Sequence, residues 1–500
     1  MNDYDTQVAE GLLQAAGFEI VHEYEAENEG SFKSSISAAD PSPHKKKKPT
    51  LFSQFSGGSP QEAEAVPDIV LMNTCSVREH AEIRVYGRLG LLGKAKKENP
   101  NLIVGLMGCM VEEHKEKLFK RFPQLDLMVG TRNIKELPAL INEVRNQRRQ
   151  VSKIKQDGIS IEYTDQIKRD SLHHAWLPIM TGCNKVCTYC IVPITRGAEV
   201  SMPAREVYRE ASRLVSEGVK CITLLGQNVN SYDGIAESSL SLLQELAVKQ
   251  PGQSSPSSEI ASSRYGGTRN DEVRFPELLE MLCEIEGLER ISFTTSHPQD
   301  ATEELFQVIA RSQKISRRFH LPLQSGSDRM LKRMARLHQY ADYKKKIVRL
   351  RELVPDIAVT TDIIAGFSGE TEEDHQVTLN ALRELRYDGA YIYKYSIRAQ
   401  TPAAKLPDDV PLEVKERRNQ ELLGVQKLIS EESNRAWLGK TVQVFVEGVS
   451  AKNKTNLIGR TSQDKQVVFE GAANLIGTFQ DVELVSLFHN TFQGHRKFLT

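Results

Sequence analysis

The sequence predicts an α/β protein in three parts: an N-terminal parallel sheet with covering helices, a central full or partial (β/α) barrel, and a small C-terminal β-barrel. Three observations predict it. Apolar strand-like runs alternate with helical stretches from about 67 to 144 and again from about 175 to 400. After 438 the pattern becomes short strand-like runs separated by turn residues. The length of 500 residues, at roughly 100–200 residues per domain, fits about three domains. We expect boundaries at 1–145, 170–400 and 438–500.

Residues 5–17 have helical spacing and stop at a glycine. Residues 26–66 lose periodicity and carry a Ser-rich stretch and the run Lys45–Lys48, which reads as a disordered insertion, the lysines as a solvated loop rather than a nucleic-acid contact. Strands follow at 67–75, 101–109 and 125–130, with helices at 77–97 and around IKELPALINEV. Cys75 and Cys109 each close an apolar strand. Parallel strands place their C-terminal ends along one edge, so these two cysteines are expected to meet at one rim. Residues 145–170 read as a linker. Six barrel strands are expected at 175–182, 219–226, 290–296, 318–323, 357–367 and 389–396, with helices such as 205–218 and 371–386 between them. The Pro-, Gly- and Ser-rich stretch 249–270 reads as a surface insertion.

Composition excludes several classes. Lys and Arg number 65 against 66 Asp and Glu, a net charge of −1, so any nucleic-acid binding needs local patches. No apolar run of about 18 residues occurs, and MNDYDTQVAE lacks the order of a secretory signal, so no membrane partner is expected. Seven cysteines, three within eight residues, fit a thiolate-bound metal better than a disulfide scaffold.

The sharpest motif is TGCNKVCTYC, which sets Cys183, Cys187 and Cys190 as CxxxCxxC just after the first barrel strand. No second CxxC exists to complete a zinc site. Three thiolates without an obvious fourth fit a 4Fe–4S cluster with one open iron, with zinc plus a His or Asp ligand as the alternative. Gln227, Asn228, Ser296, Gln324 and Ser325 follow barrel strands, where barrel sites are built, and are expected at a cofactor and substrate rim. His297 and His320 read as structural, and Cys221 and Cys283 as buried small apolar residues.

CxxxCxxC in this setting resembles the radical S-adenosylmethionine (SAM) superfamily. GCNKVCTYCIVPITRGAEVS resembles its methylthiotransferases, and within them the branch acting on N6-dimethylallyladenosine in tRNA. NTCSVREHAE and GLMGC resemble that family's N-terminal domain, FTTSHP, HLPLQSGSDRML and DIIAGFSGET its barrel, and the last 60 or so residues its TRAM module. The resemblance implies two 4Fe–4S clusters. Cys183, Cys187 and Cys190 would hold the one that cleaves SAM to a 5′-deoxyadenosyl radical. Cys75 and Cys109 would serve an auxiliary cluster that delivers sulfur. Gly366, Gly369 and Glu370 of GFSGE resemble the adenine-supporting turn, with Ser368 where the family usually has proline. The family's third auxiliary ligand and its first strand normally precede the string that here begins MNDYD. The expectation is therefore a cluster one thiolate short, from a start placed too far downstream or from a real loss.

The implied activity is methylthiolation at carbon 2 of the prenylated adenosine 37, with the tRNA anticodon loop, an electron donor such as flavodoxin or ferredoxin, and an iron–sulfur or sulfur carrier as partners. The chain is expected to be a monomer in the cytoplasm, or in an organelle if a targeting segment precedes it. Methylthiolation of threonylcarbamoyl-adenosine or of a ribosomal-protein aspartate is the nearest alternative, and a zinc-holding RNA-binding protein the alternative of another class. In the TRAM-like part, seven Lys or Arg stand against five Asp or Glu, and Lys452, Lys454, Arg460, Arg496 and Lys497 are the candidate phosphate contacts.

Overall fold

Alternation along the N-terminal strands decides how that part packs. Ile103, Met107, Leu127 and Val129 face one side of the sheet, against helices Asn2–Ala15 and Leu137–Gln147. Val104, Leu106 and Met128 face the other, against helices Glu79–Glu98 and Lys117–Arg121. A parallel sheet buried on both faces needs apolar residues at successive positions, and Ile103–Gly108 is buried throughout. The computed structural model describes residues 1–20, 68–74, 79–154, 163–235 and 272–497. Cys75 and the insertions expected at 26–66 and 249–270 lie outside them.

The N-terminal sheet has four parallel strands in chain order: Ile69–Thr74, Ile103–Gly108, Leu127–Val129 and Val151–Lys153. The fourth corrects the expected linker at 145–170 and carries this unit past 145. Leu127 pairs with Val151 and Val129 with Lys153. Only Val151 of the three is buried, so the strand is imposed by its neighbour and leaves no apolar signal.

The central part is a six-stranded parallel partial barrel. His174–Pro178, Cys221–Leu225 and Arg290–Phe293 form one half. Arg318–His320, Ala358–Ala365 and Gly389–Lys394 form the other. The Ile291–Ile315 bridge joins the halves. Helix Ala204–Ser216 shows why the outer layer forms: Ala204, Val207, Ala211 and Leu214 make a buried stripe at helical spacing. Truncating one such leucine to alanine costs about 2–5 kcal/mol. Helix Glu372–Leu385 starts at a capping box between Thr371 and Asp374. The 24-residue helix Leu412–Arg435 borders the sixth strand, where Asn419 Nδ2 donates to the Ile392 carbonyl and Gln426 Nε2 to that of Tyr387.

The C-terminal part is a closed five-stranded barrel around Val444, Val446, Leu457, Val467, Phe469, Val482, Leu484 and Phe492. It docks on the N-terminal ends of the central strands. Arg290 donates to the carbonyls of Arg460 and Thr461, Arg318 pairs with Asp464 at 2.8 Å, and Ser316 Oγ donates to the Ser462 carbonyl at 2.6 Å.

Candidate active site

The three-cysteine string folds as one closed loop at the opposite, C-terminal end of the central barrel. Its base is a short antiparallel pairing of Met180–Thr181 with Val200–Ser201. The Cys183 amide donates to the Gly197 carbonyl, closing the loop above that pairing. Gly182 has φ +74°, and a Cβ there would meet the Ala198 carbonyl oxygen at 1.9 Å, so only glycine fits. The loop then docks on the C-terminal end of the short helix Asp328–Arg333: the Thr188 amide donates to the Met334 carbonyl and its hydroxyl to that of Arg333. Cys187 is buried, while Cys183 and Cys190 are partly exposed. Burial pushes the Cys183 thiol up and the Cys190 thiol up to about 12, so without a bound metal these are protonated thiols rather than free nucleophiles.

The donor set discriminates between metals. Among the described residues, the His/Cys/Asp/Glu groups whose ligand atoms all lie within 4.8 Å are Glu82–Glu113–His114 and Glu372–His375–Glu421. The cysteine trio is not such a group. Ligands about 2.3 Å from one tetrahedral zinc stand closer together than that, so the open trio suits a larger cluster.

Beside the loop, the rim carries buried polar atoms that lack protein partners: Gln227 Oε1, Asn228 Oδ1, Asn230 Nδ2, Arg336 Nε and both ring nitrogens of His338. Buried polar atoms of this kind cost about 1–3 kcal/mol each unless a ligand or water satisfies them. The rim is wired to the cysteine loop. Asn228 Nδ2 donates to Asp300 at 2.7 Å, and Asp300 pairs with Lys185 of the loop at 2.8 Å. Ser296 Oγ donates to Asn230 Oδ1. His297 Nδ1 accepts from the Gln299 amide, which leaves Nε2 as the proton-bearing nitrogen. Burial, reinforced by Arg336, lowers His297 to about 2 and His338 to about 3, so both imidazoles are neutral.

The remaining expected rim residues divide in two. Gln324 takes φ +73° and bridges the Asp362 carbonyl and the Ile364 amide through its backbone. Gly366 also has positive φ, and a Cβ there would meet Lys415 Cγ at 2.3 Å. Ser325 and Glu370, by contrast, point inward. Ser325 Oγ lies against Thr378 Oγ1, and Glu370 accepts from the Gly366 amide at 2.8 Å and from Arg418 at 2.9 Å. Their polar groups shape the turn. Ser368 at the family's proline position accepts from Arg333 Nη2, and its carbonyl accepts from Arg333 Nε. Gly369 sits against the same guanidinium. His320 is hydrogen-bonded to Thr360, consistent with a structural role.

Cys109 opens helix Cys109–His114 at the C-terminal end of its strand. Among the described residues it alone represents the expected auxiliary donor set. Arg196 of the TRGAEVS string reaches it across the domain boundary. Burial opposes the Arg196 charge, yet Asp5 and Cys109 both hold it protonated. The Arg196–Asp5 distance is 2.6 Å, and Arg132 donates to the Arg196 carbonyl at 3.0 Å. A second buried pair, Arg398–Glu82 at 2.7 Å, joins the same two domains.

One of the expected phosphate contacts is corrected: Arg460 pairs with Asp464 and Glu447 at the docking face. Lys497 pairs with Glu483 at 2.6 Å and stays half exposed. Lys452 and Lys454 are exposed in the turn at 450–455. Sequence reasoning missed Arg336, His338 and the Lys185–Asp300–Asn228 chain. Only the position of Arg336 and His338 shortly after HLPLQSGSDRML could have drawn attention to them.

Comparison with known proteins agrees with this geometry. Residues 177–382 match the radical SAM superfamily, residues 51–130 the uncharacterised protein family UPF0004, and residues 435–487 the TRAM domain. The tRNA-2-methylthio-N(6)-dimethylallyladenosine synthase of Clostridium botulinum is 41% identical over 84% of this chain and 86% of its own. That of Carboxydothermus hydrogenoformans is 40% identical over 87% and 92%, and that of Desulforamulus reducens 40% identical over 88% and 89%. With three domain matches in order and such identity over most of its length, the chain belongs to the radical SAM methylthiotransferases, in the tRNA-2-methylthio-N(6)-dimethylallyladenosine synthase family.

Proposed function

We propose that this chain adds a methylthio group to carbon 2 of N6-dimethylallyladenosine at position 37 of tRNA. One observation carries the reading: a closed loop of three thiols beside a rim of unpartnered buried polar atoms. When bound, a 4Fe–4S cluster with an open iron, together with SAM, supplies the radical chemistry. The residues of the chain hold, orient and shield it. Cys183, Cys187 and Cys190 are the ligands, and the Lys185–Asp300–Asn228 chain fixes their loop to the rim. Gln227, Asn228, Ser296 and Gln324 orient polar groups of SAM or the base, while Gly366 and Gly369 supply the positive-φ turn that packs against Lys415 and Arg333. Glu370 and Ser325 brace that turn from behind. Tyr189 of the loop packs its ring on Phe367, which packs on Tyr395, and together they keep water out.

Cys109, with Cys75, contributes thiolates to an auxiliary cluster that supplies sulfur. An anticodon loop suits the site, because single-stranded RNA exposes bases that can be splayed into a pocket. A flavodoxin- or ferredoxin-type donor, a sulfur carrier, a monomeric state and a cytoplasmic setting complete the reading; no helix among the described residues is long and apolar enough to cross a membrane. Anaerobic incubation with SAM, reductant and dimethylallyladenosine-containing tRNA tests it by nucleoside mass spectrometry. The methylthio nucleoside is expected. Failure to cleave SAM as well as to form that product contradicts the reading, and modification of threonylcarbamoyl-adenosine or of a ribosomal-protein aspartate instead would replace the substrate.

A further inference from the structure

Arg336 is 6% exposed, and among the described residues no carboxylate pairs with it. Its Nη2 donates to the Pro322 carbonyl at 2.9 Å and its Nη1 points at Cys187 Sγ at 3.3 Å, while Nε has no partner. A buried guanidinium without a counter-ion is strongly disfavoured. The groups that can carry its compensating negative charge are the cysteines of the loop, with Cys187 nearest. The backbone that presents it is fixed by the end of helix Asp328–Arg333: Ala335 takes φ +52° as the residue closing that helix, with its amide donating to the Lys332 carbonyl and the Arg336 amide to that of Leu331.

We propose that Arg336 is a positioning residue that sets the reduction potential of the cluster held by Cys183, Cys187 and Cys190, through a charge-assisted hydrogen bond from Nη1 to the Cys187 thiolate. The proposal rests on the assignment of a cluster to these cysteines. One-electron reduction by a flavodoxin- or ferredoxin-type donor adds one negative charge at the thiolate-bound site. No bond breaks, and Arg336 keeps its proton. A fixed cation stabilises the more negative state more than the less negative one, so it raises the potential and eases reduction. The neutral His297 and His338 beside it add no charge of their own, so Arg336 is the cation that acts there.

The test is an EPR-monitored redox titration of the reconstituted full chain, in a Cys75→Ala/Cys109→Ala background so that the signal reports one site. Arg336→Gln is expected to bind parental iron with a reduction equilibrium about tenfold less favourable, a midpoint about 59 mV lower for one electron. Arg336→Lys keeps the charge but loses the fork between Pro322 and Cys187, and is expected to shift roughly threefold. An iron-replete Arg336→Gln protein with the parental potential overturns the proposal. Should that variant lose its iron, Arg336→Lys decides alone, and an unshifted potential there overturns it. A parent protein that binds no cluster would overturn the assignment under Proposed function instead.

Discussion

Two cysteine regions of this molecule each hold a buried arginine, and they use it differently. Arg336 faces Cys187 with no carboxylate partner among the described residues. Arg196 faces Cys109 but also pairs with Asp5 at 2.6 Å across the domain boundary. In the first region the thiols must balance the cation, so the arginine acts on the metal site. In the second the carboxylate already balances it, so the arginine acts chiefly as a clamp between domains. The same residue beside the same ligand type therefore tunes in one place and fastens in the other.

Cysteine substitutions separate the regions most sharply. Cys187→Ala should remove iron from the barrel site and abolish SAM cleavage, whereas Cys109→Ala should abolish methylthiolation and leave cleavage intact; chromatography of 5′-deoxyadenosine alongside nucleoside mass spectrometry reads both. Loss of cleavage in both variants would erase the distinction.

The clamp comes next. Arg196→Ala leaves Asp5 buried and unpaired and should destabilise the protein by about 3–5 kcal/mol in chemical denaturation. Asp5→Asn should cost less, and additivity of Arg196→Ala with Asp5→Ala would show that no clamp exists.

A smaller effect is expected at the rim. Gly366→Ala imposes a left-handed conformation costing about 1–2 kcal/mol and a clash with Lys415, and should weaken SAM binding in equilibrium dialysis while the fold persists.

The histidines beside Arg336 give the pH signature of the tuning region. His297, at about 2, and His338, at about 3, stay neutral when folded, whereas unfolded histidine takes up a proton near 6.5. Below about pH 6.5 the unfolded state binds more protons, so stability falls as the pH falls. Tm should drop between about pH 7.5 and 5.5, and by less in His338→Gln. An equal drop in that variant would remove His338 from the account. The smallest effect lies farthest from both regions: Lys454→Ala should reduce the salt slope of tRNA binding by about one and leave modification at saturating tRNA unchanged.

What was legible in the sequence follows from range. The cysteine loop is encoded by some 20 consecutive residues whose own backbone closes it, so GCNKVCTYCIVPITRGAEVS announces it. The strands appeared because burial on both faces demands continuous apolar runs, as in Ile103–Gly108. Val151–Lys153 did not, since only Val151 is buried. Arg336 and Arg196 were invisible as site residues because their meaning depends on partners 149 and 191 positions away. Arg460 was misjudged as a phosphate contact because a lysine- and arginine-containing strand looks the same whether its charge faces solvent or a docked domain.

EPR of the dithionite-reduced, reconstituted Cys75→Ala/Cys109→Ala protein, recorded with and without SAM, bears most directly on the cysteine loop. The account predicts a 4Fe–4S signal whose g-values shift when SAM is added, because one iron is open to it. A spectrum unchanged by SAM, or a colourless protein with stoichiometric zinc and no iron, would contradict it.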